Sequence, residues 1–153
     1  MSVRMSEAEF ARIVGKKTDI SSKQGKSKYK ARKIKENGVW YDSIGEYERH
    51  CYLQLLQKAG DISDLRFHDK SDTIILIDDP VVKYYPDFCY DENGHHVVED
   101  FKGVQTKEFV LKKKMIISKI KKGELDITFR IVKKDDGYRV VEEYDASVLK
   151  KQQ

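Results

Sequence analysis

Lys83-Tyr84-Tyr85-Pro86-Asp87-Phe88-Cys89-Tyr90, then Asp91-Glu92-Asn93-Gly94, then His95-His96-Val97-Val98-Glu99-Asp100-Phe101-Lys102-Gly103 is the stretch that decides the fold. Asn-Gly between two apolar runs is a strong short-range hairpin signal and favours a two-residue turn. With Asn93 and Gly94 at the turn, Glu92 faces His95, cross-strand positions sum to 187, and Asp87 stands opposite Asp100. Directly opposed Cβ atoms lie about 4.5–5.5 Å apart, and like charges there are destabilising. The two-residue period of a strand puts Asp100 and Lys102 on one face, with Glu99 and Phe101 on the other. Asp87, Asp100 and Lys102 thus share a face, an arrangement poor for stability and good for holding a hard divalent cation. The competing reading is a set of ordinary charges on a wet sheet. Tyr85, Phe88, Val97, Val98 and Phe101 make these strands too apolar for that.

Outward from the hairpin, Val39-Trp40-Tyr41 is a short apolar run before the clearest helix. Asp42-Ser43 supplies its N-cap, with Glu46 three residues after Ser43 as in a capping box. Ile44, Tyr47, Cys51, Leu55 and Leu56 recur at helical spacing, and Gly60 ends it. Strands are expected over Asp64–His68, Thr73–Ile77, Val82–Tyr90 and His95–Lys102. A second helix follows over Thr106–Ile120, then strands Ile127–Val132 and Tyr138–Glu143 around the turn signal Asp135-Asp136-Gly137. The expected class is α/β, a mixed α+β sheet with helices packed on it. A short helix over Ser6–Val14 and a basic arm over Lys16–Lys35 precede this, so residues 1–36 read as an extension and residues 37–153 as a single domain.

The 153 residues carry a net charge of +4, unevenly spread. Residues 1–36 hold 11 basic and 4 acidic side chains, residues 37–101 hold 5 and 14, and residues 102–153 hold 14 and 8. No apolar run approaches the roughly 18 residues of a membrane span, and the first residues lack the apolar core of a secretory signal. Cys51 and Cys89 cannot build a disulfide framework, which predicts a reducing cytoplasm. The four histidines show no partner pattern and read as structural.

Pro86-Asp87, followed by Asp100-Phe101-Lys102, resembles the signature of the PD-(D/E)XK nuclease superfamily. The likeness covers roughly residues 42–132, and includes the Asp42-Ser43-x-x-Glu46 helix start, the Lys58-Ala59-Gly60-Asp61-Ile62 helix exit and the Val98-to-Gly103 strand. The chain resembles a small phage-borne branch of that superfamily, often grouped with Holliday-junction resolvase-like enzymes. The resemblance implies a restriction-endonuclease-like core of helix, three strands, helix and strand. It implies that Asp87 and Asp100 ligate Mg2+ or Mn2+, that Glu46 completes the metal site, and that Lys102 orients or activates the attacking water and stabilises the pentavalent phosphate. Glu46 also reads as a simple cap partner for Ser43. Glu48 faces another way, and Glu99 competes with Asp100 only if the register slips.

The expected activity is that of a metal-dependent endodeoxyribonuclease, selective for branched DNA and working as a homodimer, with exposed aromatics near Tyr84 and Tyr85 a guess for the dimer surface. Lys28, Lys30, Arg32 and Lys33 of the arm, with Lys107, Lys112, Lys113 and Lys114 of the second helix, are the residues expected to grip phosphates. A solubilising tail and a solvated helix face explain the same lysines without function. The alternatives are a nuclease fold that binds nucleic acid without cutting it, and an exonuclease or RNA-cutting enzyme of the same chemistry.

Overall fold

A computed structural model describes residues 32–134 and 137–150. The helix expected at 6–14, most of the basic arm and the residues Asp135 and Asp136 of the last turn lie outside the described residues.

Strand β1 (Ile34–Glu36) pairs antiparallel with β2 (Val39–Tyr41), with Glu36 opposite Val39. This corrects the reading of Lys16–Lys35 as arm throughout, and the hairpin straddles the boundary drawn at residue 36. Asn37 and Gly38 close it at φ of 50° and 80°, a second Asn-Gly turn whose signal lies at the edge of the basic run.

Helix α1 (Ile44–Ala59) begins and ends where its signals place it. Ser43 is the N-cap, its Oγ accepting the Glu46 N–H at 3.1 Å, and Gly60 is the C-cap. The first turn rests directly on Phe101. A Cβ at Gly45 would lie 2.5 Å from that ring, so glycine permits this close approach and with it the placement of Glu46.

Strand β3 (Ser63–Phe67) leads through a 3-10 turn (Lys70–Asp72) to β4 (Ile74–Ile77) and β5 (Val82–Tyr84), which form a separate two-stranded hairpin. The single strand expected over Val82–Tyr90 is therefore two. Pro86 has no N–H to give a ladder, and the chain leaves one sheet at Tyr84 before entering another at β6 (Phe88–Glu92). The β6–β7 hairpin, with β7 at His95–Phe101, runs in the expected register from Glu92↔His95 to Phe88↔Glu99.

The main sheet has the order β3-β6-β7-β8-β9. Helix α2 (Lys107–Lys121) carries the chain from β7 to the parallel strand β8 (Thr128–Lys134), and β9 (Tyr138–Tyr144) closes the edge antiparallel to it. A five-residue helix α3 (Ala146–Lys150), not expected from the sequence, follows Asp145, whose Oδ1 accepts the Val148 N–H at 2.8 Å.

Both faces of the sheet are covered. Phe88, Tyr90 and Val97 pack with Leu53 of α1, whereas Cys89, Val98, Phe129 and Ile131 pack with Phe109, Ile116 and Ile120 of α2. Neighbours along a strand point to opposite faces, so Val97 and Val98 can both be buried. Each large side chain so buried contributes about 1.5–3 kcal/mol. Among the described residues no helix is long and apolar enough to cross a membrane.

Candidate functional site

Asp87 lies just before β6, between two neighbouring strands. On one side the hairpin register carries it opposite Asp100. On the other, Phe67 pairs with Phe88, so the next position brings His68 opposite Asp87. The ladder continues there through side chains. The Asp87 N–H donates to Asp100 Oδ1 at 2.9 Å, Asp87 Oδ2 accepts the Phe101 N–H at 3.0 Å, and the His68 N–H donates to the Asp87 carbonyl at 2.9 Å.

Asp100 is buried and fully engaged: the Tyr84 hydroxyl donates to its Oδ2, and Lys102 Nζ forms an ion pair with the same oxygen at 3.4 Å. Lys102 also lies over the Phe109 ring, 4.8 Å from its centre, a cation–π contact that fixes the stem. The expected trio of Asp87, Asp100 and Lys102 is thus brought together.

Glu46 joins them from the first turn of α1. Its Oε2 accepts the Asp42 N–H at 3.2 Å, so one oxygen does serve the helix cap. The other, Oε1, is turned into the site, 2.9 Å from His68 Nε2 but not aligned for a hydrogen bond, and it is a buried oxygen with no hydrogen-bond partner. Both readings of Glu46 hold at once, one per oxygen. His68 Nε2 also lies 3.2 Å from Asp87 Oδ1. Glu46, His68 and Asp87 each offer a donor atom within 4.8 Å of the others, so the compact set includes His68 in the place expected for Asp100. The expectation that the histidines lack a partner pattern does not hold for His68, which lies against Glu46 and Asp87. No residue pattern marks His68, because the β3–β6 register spans a twenty-residue gap and includes a bulge. The remaining three do not enter the site: His50 bonds Tyr41, His96 lies beside Asp91, and His95 is exposed.

The charges respond to this crowding. Burial, and then the neighbouring Asp87 carboxylate, push the Asp100 carboxyl up to about 7 against the pull of Lys102. Burial opposes charge on His68, but the hydrogen bond to Asp87 and the charges of the Glu46 and Asp87 carboxylates prevail and carry it up to about 10. Burial likewise opposes charge on Lys102, yet Asp100 and Asp87 raise it, leaving a fixed cation. Two cations therefore sit against three carboxyl groups, and one carboxylate oxygen among them, Glu46 Oε1, accepts no hydrogen bond. That oxygen is what a divalent cation would satisfy, and the donor set fits one.

Other expected residues fall elsewhere. Glu48 pairs with Lys134 and accepts from Tyr138 at 2.9 Å, away from the site. Glu99 is locked to Arg49 by two bonds of 2.6 and 3.0 Å on the α1 face. Lys113 is held by Gln105 and Glu142 at 2.7 and 2.8 Å, and Lys112 pairs with Glu108 at 3.1 Å. Lys107, Lys114 and Arg32 are exposed, and Lys33 is exposed beside Asp42. Lys28 and Lys30 lie outside the described residues. Tyr84 is buried, so of the two tyrosines guessed for a dimer surface only Tyr85 is exposed.

A family described as a protein of unknown function, DUF1064, matches residues 26–136. The chain belongs to the DUF1064 family. The matched DUF1064 segment contains Glu46, His68, Asp87, Asp100 and Lys102, together with the β6–β7 hairpin and both long helices. No curated protein and no solved structure matches the chain.

Proposed function

We propose that this chain is a metal-dependent nuclease that hydrolyses phosphodiester bonds in DNA, with branched DNA as its first-choice substrate. The observation that carries the reading is the buried Oε1 of Glu46, which accepts no hydrogen bond and lies in one cluster with Asp87 and His68, beside buried Asp100 and half-buried Lys102. The order of helix, three sheet strands, helix and sheet strand supports a PD-(D/E)XK, restriction-endonuclease-like core. Mg2+ or Mn2+ held by Glu46 and Asp87, with Asp100 alongside, would supply Lewis-acid polarisation of the scissile phosphate and a more acidic attacking water.

The chain's own residues do the rest. Lys102, cationic and fixed between Asp100 and Phe109, places a compact positive charge where negative charge develops on the phosphate. Because Asp100 and Asp87 hold its proton on, it acts as a charge and an orienting donor to water. Tyr84, by donating to Asp100 Oδ2, keeps that carboxylate aimed at Lys102. Exposed Lys107 and Lys114, with Arg32 and the basic residues before it, provide sequence-independent phosphate contacts. Cutting both strands of a junction calls for two sites related by symmetry, hence a homodimer.

The test is incubation with supercoiled plasmid, linear duplex and four-way junction DNA in Mg2+, Mn2+ or EDTA. Metal-dependent cutting, strongest on the junction, is expected. Tight binding with no cutting in either metal overturns the enzyme reading in favour of a binding module.

A further inference from the structure

The metal set inferred from the hairpin alone is all oxygen, a set that suits Mg2+. The compact group in the structure is not: it contains an imidazole nitrogen. His68 Nε2 lies 2.9 Å from Glu46 Oε1 and 3.2 Å from Asp87 Oδ1. Donor atoms at right angles around an ion with bonds of about 2.1 Å stand about 3 Å apart. The imidazole nitrogen thus already stands at the spacing of a neighbouring ligand from each carboxylate oxygen, and the three donor atoms lie within 4.8 Å of one another.

The histidine is also pre-oriented. Its backbone N–H is tied to the Asp87 carbonyl, and its ring stacks on Phe67 with centres 3.9 Å apart. Phe67 in turn stacks on both Tyr41 and His50. Asp100, by contrast, has both oxygens engaged by protein donors. Glu46 Oε1, the atom nearest the imidazole nitrogen, is also a buried oxygen to which no protein group donates a hydrogen bond. The imidazole nitrogen is within reach of both the Glu46 and the Asp87 carboxylates.

We infer that His68 is a metal ligand, and that the Glu46–His68–Asp87 set selects Mn2+ or a later first-row divalent ion over Mg2+. The inference rests on the metal-dependent reading above and refines which ion the site takes. Imidazole is a good donor to transition metals, while Mg2+ prefers oxygen and gives up water reluctantly.

The test is calorimetric titration of the full chain with Mn2+ and with Mg2+, for wild type, His68→Gln and Glu46→Gln, with circular dichroism as the folding control. Wild type is expected to bind Mn2+ at least about tenfold tighter than Mg2+. His68→Gln is expected to lose about tenfold in Mn2+ affinity while Mg2+ affinity changes little. Pulsed electron paramagnetic resonance of Mn2+ on wild type should show coupling to a directly bound nitrogen that His68→Gln abolishes. Unchanged Mn2+ affinity in His68→Gln, or no nitrogen coupling in wild type, overturns the inference and leaves the nuclease reading standing on Glu46 and Asp87. Binding of neither metal by wild type overturns both. Nitrogen-coupled Mn2+ binding without DNA cleavage sustains the inference and removes the nuclease.

Discussion

The Asp87 N–H donates to Asp100 Oδ1 at 2.9 Å while Asp87 Oδ2 accepts the N–H of Phe101 at 3.0 Å, so each aspartate is clamped to the other's strand by its own carboxylate. The backbone ladder of the hairpin stops at Phe88↔Glu99, and these two bonds take its place one position further on. Two like charges are thereby held together by backbone donors that do not depend on a metal.

Asp87→Asn keeps an oxygen for the Phe101 N–H but removes the charge beside Asp100. Burial, the larger cause of the Asp100 shift, remains. The Asp100 carboxyl is expected to titrate below 7 in this variant, as read by carbon NMR of its side chain. An unchanged titration would mean that the two carboxyl groups are not coupled.

The metal-free protein should lose stability as pH rises. Folded His68 holds its proton to about pH 10, whereas an unfolded histidine releases it near 6.5, about its ordinary value. The folded state then binds more protons through this window, so the stabilisation present below about 6.5 disappears as pH climbs toward 10. Asp100 acts in the same sense at lower pH, since its folded carboxyl is raised. In EDTA, Tm should fall between about pH 6.5 and 9.5, and His68→Gln should flatten that fall. Equal slopes for the two proteins would contradict the His68 assignment.

Arg49 and Glu99 bear on stability alone. The pair is buried, Glu99 also accepts from Tyr90 at 2.5 Å, and the Arg49 guanidinium lies over Tyr52 and Tyr138. Arg49→Met strands a buried carboxylate and should cost about 3–5 kcal/mol in denaturant unfolding, while Arg49→Met with Glu99→Leu should recover most of it. A double variant as unstable as the single one would contradict this.

Deletion of the basic extension tests its share in binding. Residues 1–31 hold eight basic and three acidic side chains, and a chain starting at residue 32 retains β1. Its DNA affinity should fall, and its salt dependence should flatten by about 0.9 in log–log slope for each phosphate that the extension neutralises. An unchanged slope returns the extension to the role of a solubilising tail.

Much of this architecture is legible in the residues because local chemistry fixes it. The positive-φ turn at Asn93-Gly94 sets one register, and that register alone brings Asp87 against Asp100 and puts Lys102 on the same face. Ser43 and Gly60 mark both ends of α1 for equally local reasons. What escaped depends on contacts between distant segments. His68 reaches Asp87 only through the β3–β6 pairing, and Tyr84 reaches Asp100 from the end of β5, in a hairpin separate from the main sheet. The engagement of Lys113 by Gln105 and Glu142 is likewise a tertiary fact that a run of lysines does not reveal. The hairpin at Asn37-Gly38 is different: its signal is local, and the adjoining basic run masks it.

The most direct measurement is single-turnover cleavage of plasmid and four-way junction DNA by wild type and Lys102→Ala in Mn2+, with DNA affinity measured on the same preparations. Lys102→Ala should cut about 10²–10³-fold more slowly while binding DNA within about twofold of wild type, as expected for a charge that acts on the transition state. Cleavage by Lys102→Ala at the wild-type rate would contradict the account.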